Sequence, residues 1–177
     1  MFWRRRLPQW VPEMAILVVT WKLAGAEPEP QAELITNQNP RRCQTGPRWL
    51  ADPRIADMVV EALHYGETSG RYDRLAWAVM PNHVHMVILP RQPPNKIMNW
   101  LKSATGNRAN AILGRTGQPF WMREYYDRWM RSEQEISKTI VYAENNPARA
   151  GLSSAADEYP WSSAAGKTGG GTRANLH

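Results

Sequence analysis

The sequence predicts an α+β fold: a ferredoxin-like or RRM-like antiparallel four-stranded sheet with two helices on one face and an additional helix toward the C-terminus. Three observations carry this expectation. β-Branched or alternating apolar runs mark four strands, and apolar residues at helical spacing between recognisable end signals mark three helices. Their order, strand, helix, strand, strand, helix, strand, helix, lets the first two helices cover one face of the sheet. A chain of 177 residues can bury a real core, and no internal repeat or heptad array competes with this reading.

The elements follow in order. MAILVVTWKL (14–23) reads as a central strand ending at Gly25. Residues 25–50, rich in proline and polar side chains, form a long loop insertion with room for a short helix. Asp52 caps a helix with Pro53 at its first position, which places Ile55, Val59 and Leu63 on one face and closes at Gly66 or Gly70. RYDRLAWAVM (71–80) and HVHMVILP (83–90) form a hairpin around Pro81-Asn82. Asn95 is expected to cap KIMNWLKSATGNRANAIL, with Ile97, Leu101, Ala104 and Ile112 inward, Gly106 weakening the middle and Gly114 at the stop.

A further strand is expected at Tyr126–Arg131. Ser132 followed by Glu135 then resembles a capping box for the helix SEQEISKTIVYAENN, which Pro147 should end shortly after Asn145. Leu152, Tyr159 and Trp161 are expected to order the segment beyond it. The domain therefore spans 1–165, and 166–177 is a flexible tail. The Gly-Lys-Thr at 166–168 is not a phosphate-binding loop, because Trp161 stands where the upstream glycine is required.

Composition narrows the partners. The 22 Lys and Arg against 16 Asp and Glu, a net charge of +6, favour a polyanion, with nucleic acid ahead of an anionic membrane surface. Cys43 alone permits no internal disulfide and suits a reducing, cytoplasmic setting. Pro8, Pro12 and Glu13 interrupt the N-terminal apolar stretch, and no run approaches the roughly 20 apolar residues that span a bilayer. Arg4 to Arg6 read as a basic arm.

The chemistry concentrates in VMPNHVHMVILP (79–90). Side chains alternate along a strand, so His83 and His85 share a face, and that face is open to the third helix if the first two cover the other. Tyr142 and Asn146, four residues apart near the end of that helix, can approach the same place. Two imidazoles, an amide oxygen and a phenol suit phosphate chemistry: one divalent cation can bind both histidines and polarise phosphorus, and Tyr142 can attack. A phenol, with an ordinary pKa of roughly 10, needs such a cation or a base nearby to become a nucleophile. Tyr125 and Tyr126 are the rival tyrosines. Lys102, Arg108, Arg115, Arg123, Arg128 and Arg131 are candidate contacts to a DNA backbone, and some of the nine tryptophans can stack bases.

MPNHVHMVI, LKSATGNRANAILGRTG, FWMREYYDRWMRSEQEI, VYAENNPARAGL and YPWSS together resemble the single-tyrosine HUH (IS200-like) transposases, most closely the REP-associated tyrosine transposase branch, over about residues 14–163. The resemblance implies that His83 and His85 ligate Mg²⁺ or Mn²⁺, of which two imidazoles favour Mn²⁺. It implies that Tyr142 forms a 5′-phosphotyrosine link to single-stranded or hairpin DNA at a repeated palindrome, and that the C-terminal helix is catalytic. It places Asn146 as a third polar ligand or orienting group, where many relatives carry Gln. Ala143 and Ala148 also depart from the family's usual residues without removing a chemical group. Monomers and homodimers with shared sites both occur among relatives, and nucleoid association follows from DNA binding. Two other readings stay open: a non-catalytic single-stranded nucleic-acid-binding module, and a phosphodiesterase that uses water with Tyr142 only positioning.

Overall fold

The computed structural model describes residues 2–4, 10–12, 15–26 and 46–167. Most of the expected insertion and the tail beyond residue 167 lie outside the described residues, as do Arg5 and Arg6 of the basic arm. Strands are β1 (Phe2–Arg4), β2 (Trp10–Pro12), β3 (Ile16–Lys22), β4 (Tyr72–Val79), β5 (His83–Pro90) and β6 (Tyr126–Met130); helices are α1 (Pro53–Thr68), α2 (Pro94–Ile112) and α3 (Glu133–Arg149). The antiparallel pair β1–β2, with Arg4 in register with Trp10, takes up the start of what the sequence suggests is an arm.

The main sheet is antiparallel in the order β4-β5-β3-β6. This is the ferredoxin-like order, with the first strand of the motif beside both the third and the fourth. Alternation sorts the side chains. Leu17, Val19 and Trp21 of β3 join Val84, Met86 and Ile88 of β5 and the apolar faces of α1 and α2 in the main core. On the opposite face Ile16, Val18 and Val87 pack with Ala76 and Met130 against Ile136, Ile140 and Ala143 of α3. The third helix thus covers the second sheet face, the one that carries the histidines.

Helix ends follow local chemistry with three differences from expectation. The Asp52 carboxylate accepts from the Arg54 backbone N–H at 3.0 Å, as a cap should. Gly66, however, lies inside α1, where a Cβ would stand 2.1 Å from the Tyr72 hydroxyl oxygen, and Gly70 at φ +72° makes the turn. α2 starts two residues before the expected boundary, with Pro93 flanking and Pro94 as its first residue, because a proline at the first helical position loses no intrahelical bond. α3 does not stop at Pro147 but runs through it to Arg149. Proline forfeits its own N–H there and its ring crowds the Ala143 carbonyl one turn back, yet packing of the buried Asn146-Pro147 pair holds the last turn, which Ala150 N–H closes on the Asn146 carbonyl at 3.0 Å.

Gly106 of α2 marks where the 118–123 segment lies against the helix: a Cβ at this position would stand 3.4 Å from Trp121 Cδ1, an ordinary contact distance.

The C-terminal segment closes the β4 edge. Val79 N–H donates to the Trp161 carbonyl at 2.8 Å and Ser163 N–H to the Trp77 carbonyl at 2.9 Å. Tyr159 donates its hydroxyl to the Val79 carbonyl at 2.8 Å, and Leu152 packs with Ala78 and Met80. Ser163 reaches across to Glu144 of α3 at 2.8 Å, and Trp161 donates to Asp57 of α1 at 2.8 Å. The Tyr-Pro-Trp-Ser-Ser stretch therefore clamps α3 to the sheet.

Candidate active site

Sheet register builds the site. Thr20 of β3 stands opposite His85 of β5 on one side and Tyr126 of β6 on the other, so all three project toward α3. His83 and His85 are 5% and 3% exposed. Their rings meet edge to face with centroids 4.6 Å apart, and the two Nε2 atoms are 2.9 Å apart. His83 Nδ1–H donates to Asn82 Oδ1 at 2.7 Å, and His85 Nδ1 is hydrogen-bonded to Thr20 Oγ1 at 2.9 Å.

This chain of contacts has a definite protonation logic. Burial, with the charges of His85 and Lys22, holds His83 well below the ordinary imidazole value; burial and Lys22 push His85 down to about 3. Both rings are neutral near neutral pH, the form in which imidazole ligates metals. With one proton each, Thr20 O–H donates to His85 Nδ1, His85 Nε2–H to His83 Nε2, and His83 Nδ1–H to Asn82. A threonine hydroxyl can also accept, so His85 can move its proton to Nδ1 and leave both Nε2 lone pairs facing one point. Two cis ligands about 2.1 Å from an octahedral ion stand about 3.0 Å apart, close to the observed separation. The pair therefore fits a divalent cation, and Asn82 and Thr20 fit the outer partners that orient metal-binding imidazoles.

Among the described residues no group of three or more His, Cys, Asp and Glu side chains comes together. Further ligands would have to be neutral side chains, water or substrate oxygens. Asn146 is 3% exposed, one turn beyond Tyr142, and its Nδ2, a donor, has no hydrogen-bond partner among the described residues; a cation would have to be met by its Oδ1. Continuation of α3 through Pro147 is what keeps Asn146 in helical phase with Tyr142.

Tyr142 packs its ring edge to face with His85, centroids 6.3 Å apart, within one chain. A cavity of ≈ 320 Å³ beside them is lined by Thr20, His85, Tyr126, Arg128, Lys138 and Tyr142. On the outer side of the helix a second depression of ≈ 400 Å³ is lined by Lys138, Tyr142, Asn145 and Arg149, and the Arg149 guanidinium lies 5.3 Å from the Tyr142 ring centroid. Lys138 thus borders both openings, one turn before the phenol, and Arg149 sits two turns after it. Helical spacing could have singled out these two cations from the sequence, whereas Thr20 required the register. Of the rival tyrosines, Tyr126 shares the cavity; Tyr125 packs against the main core on the other face, with Lys102 5.8 Å from its ring centroid.

The six candidate DNA contacts do not form one surface. Arg128 borders the cavity but pairs with Glu135, whose other carboxylate oxygen accepts from Arg131 N–H at 2.9 Å. Glu135 N–H donates to Ser132 Oγ at 3.2 Å, so the capping box forms its forward half and its return bond goes one residue further back. Arg108 pairs with Glu61 at 2.8 Å, and Arg115 stacks 3.7 Å from the Trp49 ring centroid. Lys102 and Arg123 border a separate groove, where Lys102 donates to the Arg123 carbonyl at 2.6 Å.

No helix among the described residues is long and apolar enough to cross a membrane. A search of curated proteins gives no sequence match. Among solved structures, the chain is similar to a REP-associated tyrosine transposase bound to a REP hairpin, at 15% identity and a TM-score of 0.56, over 90% of this chain and 82% of the other. At that identity the likeness establishes a shared fold. A protein of Deinococcus radiodurans R1 assigned to the transposases aligns at 17% identity over 74% of this chain and 89% of its own, with a TM-score of 0.46. Residues 48–146 match the family model for IS200-like transposases, a span that covers more than half of the chain and runs from the approach to α1 through both histidines to Asn146. The chain belongs to the IS200-like transposase family.

Proposed function

We propose that this protein is a divalent-metal-dependent transposase of the REP-associated tyrosine type, which nicks and rejoins single-stranded DNA at a hairpin formed by a repeated palindrome. The observation that carries the proposal is the meeting of the His83–His85 pair and Tyr142 in one buried site of a single chain. The hairpin is suggested by the structural neighbour, which is bound to one. His83 and His85 would hold Mg²⁺ or Mn²⁺, with Asn146 as a third ligand or as the group that orients a ligating water. When bound, the ion supplies positive charge at a phosphate oxygen and makes phosphorus more electrophilic.

The protein's own residues do the rest. Tyr142 Oη attacks phosphorus in line; the Oη–P bond forms as the P–O3′ bond breaks, the phenol proton passes to solvent, and the released O3′ takes up a proton to become a free hydroxyl. The phosphate stays esterified to the 5′ oxygen of the downstream nucleotide, so the reverse attack by a 3′ hydroxyl reseals DNA without an external energy source. Lys138 and Arg149, which share the outer depression with Tyr142, would hold the phosphate oxygens. All these side chains belong to one chain, so a monomer suffices for this chemistry.

The test is to incubate the protein with end-labelled hairpin oligonucleotides and Mn²⁺ or Mg²⁺ and look for a denaturant-resistant protein–DNA adduct. The adduct should form with wild-type protein and Tyr126→Phe and vanish in Tyr142→Phe. Failure across a panel of palindromic hairpins would overturn the proposal in favour of a binding module. Cleavage without an adduct would indicate water as the nucleophile, and loss in Tyr126→Phe alone would move the nucleophile to β6.

A further inference from the structure

The helix that carries Tyr142 is fastened to the sheet on both sides of that residue. Before it, Glu135 pairs with Arg128 and accepts from Arg131 N–H at 2.9 Å, and Thr139 Oγ1 donates to Met130 Sδ at 3.3 Å, so the first half of α3 is held by β6. Beyond it the attachment passes through Glu144. This side chain is 15% exposed, and its Oε1 accepts from Ser163 Oγ at 2.8 Å and pairs with the exposed Lys167.

Ser163 is itself fixed to β4. Its N–H donates to the Trp77 carbonyl at 2.9 Å, and its Oγ accepts from the Trp77 N–H at 3.0 Å. A hydroxyl that accepts from a backbone N–H is polarised and donates the more strongly, here to a carboxylate. Trp77 and Ala78 stand opposite Met86 and His85 in the β4–β5 register. The path from Glu144 therefore runs through Ser163 to the part of β4 that pairs with His85, and the packing of the Tyr142 ring on His85, centroids 6.3 Å apart, closes it into a loop. Displacing the second half of α3 along β4 breaks a member of that loop. Glu144 lines neither opening beside Tyr142, so it acts on the phenol through the helix.

We infer that Glu144 and Ser163 are positioning residues for the tyrosine nucleophile: their hydrogen bond locks the second half of α3 to β4 and thereby holds Tyr142 at His85. The inference rests on the reading of Tyr142 as the nucleophile and adds the device that sets its distance from the histidines. Small displacements of a reacting group are expensive in rate, because alignment is lost before binding is.

The test pairs a rate with a spectroscopic signature. Single-turnover adduct formation on saturating hairpin with Mn²⁺ should slow roughly tenfold or more in Ser163→Ala and in Glu144→Leu, with hairpin affinity and melting temperature little changed. Ser163→Thr keeps the hydroxyl and Glu144→Gln keeps the acceptor, so both should retain most of the wild-type rate. In the metal-free protein the ring protons of His85 feel the ring current of Tyr142, and Tyr142→Leu calibrates that contribution by NMR. Their shifts should move toward the Tyr142→Leu values in Ser163→Ala and return in Ser163→Thr. Unchanged rate or unchanged His85 shifts in Ser163→Ala overturn the inference, as does a loss that neither conservative variant recovers or one that appears as weakened hairpin binding or a lowered melting temperature. If wild-type protein forms no adduct on any hairpin, the transposase reading fails, and the His85 shifts alone decide whether Ser163 and Glu144 place Tyr142.

Discussion

The buried histidine pair makes the metal-free protein sensitive to mild acid, and the structure sets the size of the effect. In the folded chain His85 accepts a proton only near about pH 3, against 6.5 for an ordinary imidazole, because burial and Lys22 oppose the charged ring. Between these values the unfolded chain binds a proton that the folded chain refuses, so stability rises with pH. Nothing is lost above pH 6.5, and the loss accumulates as pH falls below it. At about pH 5, roughly 1.5 units below the unfolded value, His85 alone should cost about 2 kcal/mol. His83 acts in the same direction; near pH 5 neither folded ring takes a proton while both unfolded rings do, so its cost adds to that of His85 and remains in a variant that lacks His85. The assay is urea denaturation in chelator at about pH 7.5 and about pH 5, comparing wild type with His85→Gln. The wild type should lose about 2 kcal/mol more than the variant over this interval. Glu67 and Glu135, whose carboxyl groups are held below the ordinary value of 4.5, lose their stabilisation only as pH falls under that value, and they are common to both proteins. An equal loss in wild type and variant would refute the neutral buried imidazole. At about pH 7.5, Mn²⁺ at a hundredfold excess over its dissociation constant should stabilise the wild type by about 2.7 kcal/mol and the variant far less.

Other perturbations probe the supports of the site. Thr20→Val keeps the shape and removes the hydroxyl that serves either tautomer of His85; Mn²⁺ affinity by titration calorimetry should fall roughly 10–100-fold, and undiminished affinity would remove Thr20 from the metal-orienting role. Gly66→Ala places a Cβ against the fully buried Tyr72, which donates to the Leu63 carbonyl at 2.9 Å. Overpacking and loss of that bond outweigh the gain in helix propensity, so thermal or urea unfolding should show a net loss of about 2–4 kcal/mol, and an unchanged or raised stability would contradict the packing. Arg149→Ala takes a cation from beside Tyr142 and should slow adduct formation about tenfold or more, the worth of one charge-assisted contact, with melting little changed; an unaltered rate would leave Lys138 as the phosphate contact.

Much of this protein is determined by its sequence alone, because the deciding interactions are local. The two-residue period of β5 puts His83 and His85 on one side in any sheet that buries Val84, Met86 and Ile88 on the other. Asp52-Pro53 and Ser132 specify helix starts through bonds within three residues of themselves. The four-residue offset of Tyr142 and Asn146 makes them neighbours once the helix extends as far as Asn146. Tertiary structure decided the rest. Local preference would end α3 before Asn146, yet contacts with the sheet and with the Tyr-Pro-Trp-Ser-Ser clamp carry it through Pro147, where packing outweighs the forfeited hydrogen bond and the crowding of the preceding turn. Gly66 and Gly106 look like helix weaknesses in the chain; they are the points where Tyr72 and Trp121, distant in sequence, approach the helices. Thr20 becomes the partner of His85 only through the pairing of β3 with β5, a contact across 65 residues that no local pattern encodes. Alternation chose which face the histidines occupy, and long-range register chose what meets them there.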